Sequence, residues 1–123
     1  MEVLLDTNFI LSCLEKRIDF LGDLIGMGFK VTVPKEVVEE LKDLKKNSKL
    51  SGRKRQIVDV ALGIVSDKRA GKVGFGGQRV DAGLIAKGKE GVYIATLDNG
   101  VKREVSNKVV IDNSRKGLRI ERS

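Results

Sequence analysis

The sequence predicts an α/β protein: a three-layer α/β/α arrangement about a mostly parallel central sheet, formed by residues 1–123 as a single domain. Two observations predict it. Short apolar, strand-like segments alternate along the chain with amphipathic helical ones, and such alternation implies parallel strands joined by right-handed crossovers. The second observation is size: 123 residues, 41% hydrophobic and 33% charged, suffice for one core. No repeat, linker or low-complexity segment interrupts the pattern.

The elements follow in order. Residues 2–5 (EVLL) read as a strand. Over 8–25 the apolar residues Ile10, Leu11, Leu14, Ile18, Leu21, Leu24 and Ile25 recur at three- and four-residue spacing, which predicts one helix. Gly26 and Gly28 end it. FKVTVP is a second strand, stopped by Pro34, the only proline and well placed to open a helix. Residues 35–46 (KEVVEELKDLKK) form the second amphipathic helix and residues 53–66 a third, with Ile57, Val58, Ala61, Leu62 and Val65 on one side. GKVGFGGQR reads as a short strand and a flexible glycine loop. VDAGLIAKGKEG is a short helix and VYIAT a strand. DNGVKREV is a turn into a helix, VVID the last strand, and NSRKGLRIERS a basic tail.

Composition narrows the chemistry. Lys plus Arg is 24 and Asp plus Glu 17, a surplus of +7 that favours an anionic partner, nucleic acid ahead of membrane. No apolar run approaches the ~20 residues that span a bilayer, and no signal peptide is read at the start. One cysteine, Cys13, excludes an internal disulfide and suits a reducing cytoplasm. With no histidine, imidazole acid–base catalysis is excluded, and a zinc site has almost no ligands to draw on. Any metal would be held by oxygen.

The acids fall in telling places. In open α/β sheets, sites form beyond the carboxyl ends of the strands. Asp6 follows EVLL, Asp98 follows VYIATL, and Asp81 opens the helix VDAGLIAKG. They converge if their strands are neighbours. On the second helix, Val37, Val38, Leu41 and Leu44 centre on one face. Glu40 lies roughly 90° from that centre, Glu36 about 130° and Glu39 about 170°. Glu40 therefore borders the packed face and can turn to a cleft, while Glu39 faces water and Glu36 complements the helix dipole. Each acid alone has a plain structural use: Asp6 as an N-cap, Asp98-Asn99-Gly100 as an Asx turn, Asp81 as a first-turn acid, Glu40 as a solvated charge. As a set beside a basic surplus they suggest more. Converging carboxylates repel, and a hard divalent cation relieves that repulsion, activates water and stabilises charge on phosphoryl oxygens.

The residues LLDTNFIL, VVEELKDL, VDAGLIA and YIATLDNGVKREV, in that order and spacing, resemble the PIN-domain nucleases over nearly the whole chain. LDTNF followed by ATLD is the specific part; VDAGLIA and VVEEL are weak alone. The DTNF opening and ATxDxxxKR segment are most similar to the archaeal and eukaryotic branch linked to ribosomal RNA maturation. VDAGLIA is similar to the DALIA-like segment of VapC-type toxins. The resemblance implies a Mg2+ or Mn2+ site and endonucleolytic hydrolysis of single-stranded RNA, leaving a 5′-phosphate. It implies Asp6, Glu40, Asp81 and Asp98 as metal-binding, catalytic acids, with Asn8 and Thr96 as supporting polar positions. It also implies a homodimer, and an antitoxin partner if the chain is of the toxin type. One position departs from the pattern: many relatives carry a further acid where this chain has Gly100, which weakens the case for a second metal.

The stretch 45–55, KKNSKLSGRKR, holds six basic residues and no acid. Lys45, Lys46, Lys49, Arg53, Lys54 and Arg55 are therefore candidate RNA contacts, with Arg79, Lys102 and Arg103 nearer the acids. Such contacts grip phosphate without reading sequence; the run also reads simply as a solvated turn. Four Phe and one Tyr leave little for base stacking, and Phe75 in the glycine loop is the best exposed candidate. GFGGQR matches neither the Walker A nor the dinucleotide pattern. A catalytically weak or silent RNA-binding scaffold is the alternative to a ribonuclease. A phosphoacceptor receiver domain fits least, because its middle strand would end in aspartate where KVTVP ends in proline and lysine.

Overall fold

A computed structural model describes residues 1–123. The chain runs β1 (Glu2–Leu5), α1 (Thr7–Glu15), α2 (Phe20–Gly26), β2 (Lys30–Pro34), α3 (Lys35–Lys46), α4 (Gly52–Val65), β3 (Ala70–Val73), α5 (Val80–Lys89), β4 (Tyr93–Ala95), α6 (Asn99–Glu104), β5 (Asn107–Asp112) and β6 (Gly117–Arg122). The six strands form one sheet of order β3-β2-β1-β4-β5-β6, parallel except for the antiparallel β5–β6 hairpin. No helix is long and apolar enough to cross a membrane.

Side-chain alternation along β1 divides the two faces. Val3 and Leu5 enter the larger core, with Phe9, Ile10, Leu24, Val31, Val33, Val37, Leu41 and Ala61 supplied by β2 and α1 to α4. Leu4 enters the smaller core on the other face, with Leu84, Ile94, Val101 and Val105 from α5, β4 and α6. Helices therefore cover both faces, giving the three-layer arrangement expected. The thicker helical layer, α1 to α4, covers the face that carries the larger core.

Two elements differ from expectation. The single helix predicted over 8–25 is two. Helix α1 stops at Glu15, Arg17 takes a left-handed φ of 58°, and the Ile18 amide closes the turn by donating to the Cys13 carbonyl at 2.8 Å. Asp19 then caps α2 by accepting from the Gly22 amide at 3.1 Å. The periodicity hid the break because Ile18, Leu21 and Leu24 return to the same core, and no glycine marks the left-handed position. The basic tail is also a strand. Beyond the turn at 113–116, β6 pairs with β5 from Asn107↔Arg122 to Asp112↔Gly117, and Leu118 and Ile120 pack on the larger core. Their alternation with Arg119 and Glu121 was the available signal.

Candidate active site

The strand order reverses at β1. From β1 the chain steps to β2 and β3 on one side, then crosses to β4 on the other. This switch point is where open sheets leave a crevice at the strand ends. Asp6 and Asp98 sit there. The Asp6 amide donates to the Ala95 carbonyl at 3.0 Å, tying the end of β1 to the end of β4.

Asp6 is the most constrained of the acids. Its Oδ1 accepts from the Thr7 amide at 2.8 Å and its Oδ2 from the Thr96 hydroxyl at 2.7 Å. Thr96, only 1% exposed, in turn accepts from the Asp98 amide at 3.1 Å. One buried hydroxyl thus links the two aspartates. Burial pushes the Asp6 carboxyl above its ordinary range. The Thr96 and Thr7 hydrogen bonds oppose the shift, and the charges of Asp98 and Asp81 add to it. Both of those carboxylates lie near enough to Asp6 to repel it.

Asp98 is exposed and caps α6, its Oδ1 accepting from Gly100 and Val101 amides at 2.7 and 3.2 Å. A Cβ at residue 100 would stand 3.0 Å from that oxygen, so Gly100 leaves the cap its closest approach. Asp81, in the first turn of α5, accepts from the Ala82 amide at 2.9 Å and pairs with Arg79 at 3.3 Å. Glu40 reaches inward from α3 and accepts a short hydrogen bond from the Thr7 hydroxyl. Both glutamates are exposed, but Glu39 lies outside the cleft that Glu40 lines and pairs with Lys42 at 3.5 Å.

Asp6, Asn8, Glu40, Asp81 and Asp98 line one cleft of about 740 Å³, together with Glu36, Asp43, Asn47, Gln78 and Arg79. No three acidic side chains close into a cage that could hold an ion unaided. The cleft does suit a hard cation bound through one or two carboxylates and otherwise by water. A half-buried Asp6 repelled by two neighbouring carboxylates is the donor set that such a cation would neutralise.

Sequence reasoning missed part of this wall. Glu36 does more than complement a dipole: both its oxygens accept from the Phe75 amide, at 3.1 and 3.0 Å, fastening the glycine loop to α3. Its own amide and then that of Phe75 hold its carboxyl below the ordinary range. Phe75 is not free to stack on a base. It is half-buried against Gly83 of α5, where an added Cβ would meet the ring at 2.3 Å. Asp43 lies one turn beyond Glu40, and that spacing was its only signal.

The basic candidates divide. Arg55 donates to the Lys45 carbonyl at 2.6 Å and the Asn47 carbonyl at 3.0 Å, closing the end of α3, so its guanidinium is committed within the fold. Lys45 pairs with Asp59 at 3.0 Å. Lys46, Lys49, Arg53 and Lys54 remain exposed, and Lys54 borders a second cavity beside the cleft. Lys102 and Arg103 occupy the last turn of α6, outside both cavities.

A family model described as the PIN domain matches residues 3–114, from the first strand to the turn before the last. No curated protein matches the chain.

Proposed function

The chain belongs to the PIN-domain family, whose members are typically nucleases, and from that premise we propose that it is a Mg2+- or Mn2+-dependent endoribonuclease acting on single-stranded RNA. The observation that carries the reading is the convergence of Asp6, Asp81, Asp98 and Glu40 on one cleft at the β1–β4 switch point. Asp6, Asp81, Asp98 and Glu40 would hold the cation, which would supply a water nucleophile near neutral pH and offset charge on the phosphoryl oxygens. The remaining roles belong to the chain. Thr96 orients Asp6 against Asp98. Thr7 holds Glu40 toward the same cleft from the opposite side. Asn8 lines the wall between them. Arg79 stands beside Asp81 at 85% side-chain exposure, free to turn to a phosphate once the carboxylate is engaged elsewhere. Lys46, Lys49, Arg53 and Lys54 attract the backbone from one side and Lys102 and Arg103 from the other, without reading sequence.

The substrate class includes ribosomal RNA precursors if the chain acts in RNA processing, and cellular RNAs if it is of the toxin type, where an antitoxin would cover the cleft. A cytoplasmic setting and a homodimer accompany either role. A weak or silent RNA-binding scaffold is the second reading. It is favoured by Gly100 at a position where an acid would add a ligand, and by the commitment of one Asp98 oxygen to the α6 cap.

Turnover separates the two. Purified protein should cleave unstructured RNA with Mn2+ or Mg2+, and Asp6→Asn and Asp98→Asn should each abolish cleavage while retaining RNA binding. Equal cleavage by wild type and both variants, or none with either metal, would sink the ribonuclease reading. Soaking crystals with Mn2+ tests the site alone: the expected anomalous peak lies among Asp6, Asp81 and Asp98.

A further inference from the structure

The second cavity shares Asp6, Asn8, Leu44 and Asp98 with the acidic cleft, yet its chemistry is different. Half of its twelve lining residues are hydrophobic, against two of thirteen in the cleft. The aliphatic walls come from Leu11 of α1, Leu44 of α3, Leu50 of the connecting turn, Ile57 and Val58 of α4 and Leu97, the residue before Asp98. Leu97 is 37% exposed, one of only four large hydrophobic side chains left so open. The space is about 580 Å³, within the roughly 300–1,000 Å³ typical of small-molecule sites. Ser12 and Glu15 place polar residues along its α1 side, and Lys54 of α4 belongs to its lining.

A half-open, half-aliphatic pocket next to a phosphodiester-cleaving site suits an occupant that is apolar on its faces, polar at its edge and attached to phosphate. We propose that this pocket is a subsite for one unpaired nucleobase of the RNA strand, adjoining the scissile phosphate. The inference rests on the ribonuclease reading. Leu44, Leu50, Ile57 and Leu97 contact the base faces, Ser12 and Glu15 meet its edge, and Lys54 takes the phosphate beside it. Continuity with the cleft sets the range: the base belongs to a nucleotide within one or two of the cut. An acceptor such as Glu15 favours a base that presents an exocyclic amine, so cytosine, adenine or guanine is accommodated there better than uracil. The subsite gives the enzyme a local preference that its phosphate contacts cannot supply.

An abasic walk tests this. A short oligoribonucleotide with one cleavage site is made in versions that each lack one base. Binding is read by fluorescence anisotropy in EDTA and cleavage by product analysis with Mn2+. The expected result is a single position, within two nucleotides of the cut, where base removal weakens binding about fivefold, as for roughly 40 Å² of aliphatic contact. Leu97→Ser, and separately Leu50→Ser, should weaken binding of the intact strand by the same factor and remove the penalty for the abasic residue. Cleavage that is present but indifferent to the abasic position overturns the subsite while leaving the ribonuclease reading intact. No cleavage of any strand overturns both.

Discussion

Replacing Thr96 by valine probes the link between the two aspartates. Valine fills the same volume, so no cavity forms at a residue that is 1% exposed. Two hydrogen bonds are lost: the one donated to the Asp6 carboxylate at 2.7 Å and the one accepted from the Asp98 amide at 3.1 Å. A bond to a charged group contributes about 1.5–3 kcal/mol and a neutral one about 0.5–1.5, so the expected loss is about 2–4.5 kcal/mol. At about 2.1 cal/mol/K per residue, 123 residues unfold with an entropy near 0.26 kcal/mol/K. The expected fall in Tm is then about 8–17 °C. The pH dependence carries its own sign. Asp6 has a carboxyl raised by burial above the ordinary 3.8, so its contribution is fully present below the unfolded pKa and is lost as pH rises through the folded one. The Thr96 hydroxyl lowers the folded pKa and limits that loss. Without it the gap between wild type and Thr96→Val is widest at neutral pH and narrows as pH falls toward 3.8. Thermal melts in EDTA from pH 7 down to about 4 read both effects, and Thr96→Ser should restore most of the stability. A Tm within about 2 °C of wild type, or a gap that widens on acidification, would refute the role given to the hydroxyl.

Arg55→Ala should lower stability by about 1–2 kcal/mol in urea titration, through loss of the bonds to the Lys45 and Asn47 carbonyls, and leave the salt dependence of RNA binding unchanged. Lys54→Ala should do the reverse, reducing the slope of log K against log[salt] by about 0.7 in a filter-binding series. Gly88→Ala would place its Cβ 2.2 Å from a Val105 methyl, so overpacking of about 1–3 kcal/mol should outweigh the gain of about 1 from helix propensity; Val105→Ala in the same chain should recover part of it, as a double-mutant cycle reads. Cys13 is buried, with its thiol pushed up to about 12 mainly by that burial, so a thiol reagent at neutral pH should label it only after unfolding; rapid labelling of native protein would contradict the packing.

Much of the site was legible because it depends on local chemistry. Asp6 and Asp98 each follow a strand, and strand ends are visible as the last residue of an apolar run. Glu40 was separable from Glu39 because helical geometry fixes the angle between them. The same reasoning gave Arg55 a phosphate to bind, since a count of charges does not reveal a carbonyl ten residues back that the guanidinium can reach. It left Phe75 exposed for a related reason: the glycine at 83 that receives the ring lies in the next helix.

By itself, then, the sequence determined most of the alternating elements and the shortlist of acids, because periodicity and strand-end position depend only on near neighbours in the chain. Tertiary structure alone decided that β1 lies beside β4, that one buried threonine joins Asp6 to Asp98, that Thr7 hydrogen-bonds Glu40, and that six aliphatic side chains line a second pocket next to the acids. Each of these joins residues tens of positions apart. Such pairings are set by strand order and helix packing, which emerge only when the whole core closes at once.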